Sequence, residues 1–234
     1  MGNYIKKFTG LFSFTLLYFN INAQTIQLID NPDKGSGVSI GFKVFDNKLF
    51  LTYKTSSDTN RLAFYDGVKI NTFVTPKGYG NVTGYVNPLF NNRLYFTIAN
   101  GADRQITQIA EFNSDSIRVL ENPTNTKYGY YSGFAVYNKK MYYQYRADYF
   151  NFQLAEFDGN KTKIITTSNG ASIMSNFKEF QKKLYFSLDQ GSDKLSVGYF
   201  DGIKISNINN LNAADIGIRG DFIPFNNKLY FGYY

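Results

Sequence analysis

The chain contains neither cysteine nor histidine. Without cysteine there is no disulfide, no thiolate nucleophile and no lipid on a cleavage-site cysteine. Without histidine the Ser-His-Asp and Cys-His nucleophile systems are gone, and with them nearly every zinc, copper or haem site. Tryptophan is absent, proline occurs five times, and there is no glycine-rich phosphate loop. Carboxylates are the acid–base groups that remain, as in glycoside hydrolysis. There are 18 of them, and spacing singles out no pair. The segment Asp189-Gln190-Gly191-Ser192-Asp193 is oxygen-rich like a calcium loop, but it lacks a closing Glu and is expected to be an ordinary polar loop. No cofactor and no metal is expected.

What the chain does have is a repeat. Five segments share the order aromatic, polar pair, cation, apolar: Phe45-Asp46-Asn47-Lys48-Leu49, Phe90-Asn91-Asn92-Arg93-Leu94, Tyr137-Asn138-Lys139-Lys140-Met141, Phe180-Gln181-Lys182-Lys183-Leu184 and Phe225-Asn226-Asn227-Lys228-Leu229. Their leading aromatics are 45, 47, 43 and 45 residues apart. A second motif follows the first four: Phe64-Tyr65-Asp66-Gly67, Glu111-Phe112-Asn113-Ser114, Glu156-Phe157-Asp158-Gly159 and Tyr199-Phe200-Asp201-Gly202. Between the two lie aromatic and apolar runs, which favour strand. Each repeat therefore predicts four strands, a to d, with polar pairs at the a–b turn and Asp-Gly at a two-residue c–d turn. The aspartates Asp66, Asp158 and Asp201 are turn formers on this reading.

A period of this size built from short strands predicts an all-β fold, a β-propeller of about five blades. Four blades are complete and the fifth is partial. Residues 24–234 form one domain, with 20 Tyr and 23 Phe in the full chain to pack between blades. Residues 26–32 resemble residues 117–123, the fourth strand of blade 2 and its exit, so they are expected to supply strand d to the last blade. The bare strand at residues 229–234 leaves an unpaired edge, which favours a truncated copy of a longer propeller over a closed five-bladed ring. Transmembrane β-barrel strands of about ten residues would give the Asp-Gly repeat no role.

Residues 1–23 have the charged start, apolar stretch and small-residue end of a secretory leader. The apolar stretch is too short to span a bilayer, and no later one is long enough. A secreted, periplasmic or cell-surface bacterial protein is expected. Full-chain net charge is +7. Lysines and arginines are spread along the sequence, once per blade just after the a–b turns, and are expected to guard strand edges and aid solubility. Nucleic-acid binding would call for a basic stripe with interleaved aromatics and is not expected.

Residues 227–231 and 154–159, Asn-Lys-Leu-Tyr-Phe and Leu-Ala-Glu-Phe-Asp-Gly, resemble the secreted ELWxxDG-type (hyalin-like) repeat propellers. Alanine or glycine stands where that family has tryptophan: Ala63, Ala110, Ala155 and Gly198. The resemblance implies an exported, repeat-built, non-enzymatic module with no catalytic residues to carry over.

The four-stranded topology puts the short a–b and c–d turns on one rim and the variable b–c and d–a loops on the other, where binding residues sit on a rigid scaffold. The b–c loops carry both signs of charge, including Asp58 with Arg61, Asp103 with Arg104, and Arg146 with Asp148. The d–a segments bring Tyr79, Tyr128, Tyr130 and Tyr131, whose amphipathic rings suit contact surfaces. Those tyrosines could equally pack between blades. The function expected is binding of a glycan or a protein through this rim; the alternative is a carboxylate-dependent glycoside hydrolase or lyase.

Overall fold

The structure, a computed structural model, describes residues 37–57, 59–83, 87–100, 103–124, 128–167, 170–174, 176–191, 195–208 and 218–233. The leader and the expected closing strand within residues 26–32 lie outside them. Blade 1 is β1 (Gly37–Phe45), β2 (Lys48–Lys54), β3 (Asn60–Tyr65) and β4 (Ile70–Thr72), paired antiparallel in chain order. In blade 2 two short strands, β5 (Tyr79–Val82) and β6 (Asn87–Phe90), both pair with β7 (Arg93–Asn100); β8 (Asp103–Phe112) and β9 (Ile117–Val119) follow. Blade 3 is β10 (Tyr130–Tyr137), β11 (Lys140–Arg146), β12 (Phe152–Phe157) and β13 (Thr162–Ile165). Blade 4 again splits its first strand, into β14 (Ser172–Ile173) and β15 (Lys178–Phe180) against β16 (Lys183–Asp189), before β17 (Leu195–Phe200) and β18 (Ile205–Ile208). A fifth blade shows β19 (Ile218–Phe225) and β20 (Lys228–Tyr233). The fold is an all-β propeller of four-stranded blades, with two strands of a fifth among the described residues, as the repeat predicts.

The turns explain why the motifs recur. Both residues of every a–b turn take positive φ, from 46° at Asn138 to 59° at Lys139 in blade 3, and likewise at Asp46, Asn47, Asn91 and Asn92. Such turns match the right-handed twist of the flanking strands, and Asn and Asp tolerate them best. The c–d connection differs from the expected two-residue hairpin. It is a four-residue turn, residues 66–69, 113–116, 158–161 and 201–204, in which only the second residue has positive φ: Gly67 96°, Ser114 79°, Gly159 103° and Gly202 98°. The leading aspartate closes it. Asp66 Oδ1 accepts the Val68 and Lys69 N–H groups at 2.9 Å, and Asp158 and Asp201 repeat the bonds. These N–H donors, the fourth residue's foremost, hold all three carboxyls below the usual range.

Four of the five core clusters among the described residues span two blades; the fifth, Leu51, Tyr53, Ala63 and Ile70, belongs to blade 1 alone. Because side chains alternate along a strand, each middle strand serves two neighbours. Phe45, Phe50 and Leu62 of blade 1 meet Leu94, Phe96 and Phe112 of blade 2, with Phe50 and Phe112 centroids 5.1 Å apart. Tyr95 of blade 2 packs on Phe157 of blade 3 at 5.9 Å, and Tyr142 of blade 3 on Phe200 of blade 4 at 5.6 Å. Val197 of blade 4 meets Ile218 and Phe222 of blade 5. Each such ring contributes about 1.5–3 kcal/mol by burial. The packing leaves little room at position 198. A Cβ on Gly198 would lie 2.6 Å from Leu188 and 2.7 Å from Phe186, so the position admits only a small residue.

Candidate functional site

At the turn rim of blades 1 to 4 the cation after the a–b turn reaches across to strand c as a cross-strand clamp. Arg93 lies 2.6 Å from Glu111 and Lys140 2.6 Å from Glu156. In blades 1 and 4 the same place holds a ring: Lys48 Nζ stands 4.9 Å from the centre of Phe64, and Lys183 Nζ 4.1 Å from that of Tyr199. The residue opposite on strand b completes the unit. Tyr142 Oη donates to Glu156 at 2.7 Å and Tyr95 Oη to Glu111 at 3.3 Å. Phe50 and Phe64 centroids lie 5.8 Å apart, as do those of Tyr185 and Tyr199. Glu111 also accepts Arg118 Nε at 2.7 Å. Burial alone would raise the Glu111 carboxyl, but Arg118 and Arg93 hold it below the usual range. Burial, reinforced by the adjacent carboxylate, pushes the Tyr95 and Tyr142 hydroxyls upward. Fully partnered groups of this kind hold strands together.

On the loop rim, four of the expected binding residues gather at blade 3. The Arg146 guanidinium stands 4.6 Å from the Tyr128 ring, 5.8 Å from Tyr131, 4.8 Å from Tyr149 and 5.9 Å from Phe152. Its Nε donates to the Asp148 carbonyl and its Nη2 to the Tyr149 carbonyl, at 3.2 and 3.1 Å. Asp148 Oδ1 accepts the Phe150 and Asn151 N–H groups at 3.0 Å, setting the loop. Ser172 Oγ of blade 4 donates to the Phe150 carbonyl at 3.1 Å and ties the loop to its neighbour. Tyr131, Tyr149 and Phe150 are 50%, 56% and 79% exposed. Arginine over several rings is a stabilising arrangement, and here it supports a shelf of aromatic edges and faces in solvent.

The other candidates lie elsewhere. Tyr130 stacks on Phe134 at 4.7 Å within the seam between blades 2 and 3, where burial pushes its hydroxyl up. Tyr79 begins β5, packs against the first seam and donates to Gln108 Oε1 at 2.8 Å. Arg61 is half-buried in β3; Asp103 and Arg104 open β8; Asp58 is outside the described residues. Tyr149, Phe150 and Phe152 carry no repeat signal and are not singled out by sequence.

A cleft of about 430 Å³ runs between blades 2 and 3, lined by Arg118, Asn122, Asn160 and Lys161 with one carboxylate, Glu121. A second of about 390 Å³ holds Asp46 as its one carboxylate. Neither presents the facing carboxylate pair of glycoside hydrolysis. Among the described residues no three acidic side chains cluster as for a metal.

Comparison with solved structures returns propellers. One is the β-propeller domain of the Trilobed protease from Pyrococcus furiosus, described as having an open velcro topology. It is 10% identical, with a TM-score of 0.50 over 74% of this chain and 55% of that one. Another is a variant of the Aleuria aurantia lectin in complex with α-methyl-L-fucoside, 13% identical, TM-score 0.39, over 72% of this chain and 60% of that one. The chain thus spans 55% and 60% of the lengths of these two matches. At such identity the first likeness establishes the propeller fold and nothing finer. No family model and no curated protein matches the sequence.

Proposed function

We propose that the protein is an exported binding propeller that recognises a glycan or a protein through the loop rim of blade 3. The observation that carries the reading is the set of rings round Arg146, with Tyr131, Tyr149 and Phe150 open to solvent. Flat aromatic faces stack on the apolar face of a sugar or on a partner's side chains, and they do so at little entropic cost when already held. The leader supports export.

The test is a screen of the purified protein on glycan and protein arrays. A specific ligand whose binding falls with Phe150→Ala or Tyr149→Ala, at unchanged melting temperature, supports the reading. Silence on every array, together with cleavage of a polysaccharide, rejects it in favour of a hydrolase or lyase.

A further inference from the structure

Positive charge is unevenly divided between the rims. The turns of blades 3 and 4, residues 138–140, 158–161, 181–183 and 201–204, hold six lysines and two aspartates. Both aspartates are already occupied within their own turns. Flanking strand residues add Lys163 and Lys178 against Glu156 and Glu179, which leaves the excess unchanged. The opposite rim is mixed, as with Arg146 beside Asp148.

The fold brings these scattered lysines together. Tyr137 Oη donates to the Lys182 carbonyl at 2.7 Å and lies 3.9 Å from where a Cβ on Gly202 would sit. The turns that carry Lys139, Lys182 and Lys204 therefore meet where blades 3 and 4 adjoin, and all three lysines are exposed. Between Gly202 and Lys204 stands Ile203, 89% exposed; Val68 holds the same place in blade 1 at 85%. These are the two most exposed large apolar side chains among the described residues. A soluble polyanion would engage the lysines and leave the apolar tip unused. A lipid surface accepts both, headgroups taking the cations and the interface taking the tip.

We propose that the turn rim of blades 3 and 4 docks peripherally on an anionic lipid surface, with Lys139, Lys182 and Lys204 on headgroups and Ile203 in the interface. Docked this way, the protein points its loop rim away from the membrane.

The test is sedimentation of the full protein with vesicles of phosphatidylcholine alone or mixed with phosphatidylglycerol, at low and high salt. Expected are binding to the mixed vesicles only, loss of that binding in high salt, and at least a tenfold loss on combining Lys139→Glu, Lys182→Glu and Lys204→Glu. Ile203→Asp should weaken binding severalfold, and the loop-rim control Lys77→Glu should leave it unchanged. Circular dichroism checks that each variant is folded. Equal binding to both vesicle types, binding untouched by the triple substitution, or retention of nucleic acid or acidic polysaccharide without vesicle binding would overturn the proposal.

Discussion

In blade 3, Lys140 Nζ lies 2.6 Å from Glu156 Oε1. At the same place in blade 1, Lys48 faces the Phe64 ring. Two chemistries thus fill one slot, each with a matching strand b partner: Tyr142 for the carboxylate and Phe50 for the ring.

The match predicts coupling. Glu156→Phe alone strands the buried Tyr142 hydroxyl without its acceptor and should cost about 2 kcal/mol. Adding Tyr142→Phe rebuilds the blade 1 arrangement and should recover about half of that loss. Urea denaturation of the two single variants and the double variant measures the coupling.

The Glu111 carboxyl sits lower in the folded protein than in the unfolded chain. Its stabilisation is therefore fully present above the unfolded carboxylate range and is lost as pH falls through the folded value. Asp66, Asp158 and Asp201 act with the same sign. The urea midpoint should fall as pH drops from neutral to about 3, and Glu111→Gln should make the fall shallower from a lower starting point.

Gly67 and Gly159 share a positive φ, but only Gly159 is crowded: a Cβ there would lie 2.5 Å from Asn91 Nδ2. Gly67→Ala should cost about 1–2 kcal/mol from backbone strain, and Gly159→Ala more, because the Asn91 side chain must also give way. Ser114→Gly should stabilise by about 0.5–1 kcal/mol by relieving the same strain. Thermal melts of the three variants rank them.

Gly198→Ala places a methyl against Leu188 and Phe186. Overpacking of this kind typically costs about 1–3 kcal/mol, to be read as a lowered melting temperature.

Phe150→Ala should leave stability within about 0.5 kcal/mol, since the ring is exposed, while removing ligand binding. Arg146→Ala should free the loop at residues 147–151, seen as faster limited proteolysis there.

The blade count was legible because positive φ demands particular residues, and Asn47, Asn92 and Gly67 recur where it falls. Tyr79 and Tyr130 are expected in loops yet begin strands. The first strand of those blades is bulged, with register shifts at Tyr79 and Tyr130, and that breaks the alternation by which a strand is recognised. The clamps are not legible in local spacing because Arg93 and Glu111 are 18 residues apart, so that register joins them. The Arg146 cluster is half legible: Tyr128, Tyr131 and Asp148 stand out by composition, while Phe150 in the b–c loop and Phe152 at the start of β12 carry no repeat signal.

The aromatic cores between blades belong to two consecutive blades, as where Phe50 meets Phe112. The cooperative element is consequently the seam and not the 45-residue module, and a single excised module would expose two half-cores at once. Growth or shrinkage of such an array conserves packing only when whole modules are gained or lost, with old seams rejoined to new ones.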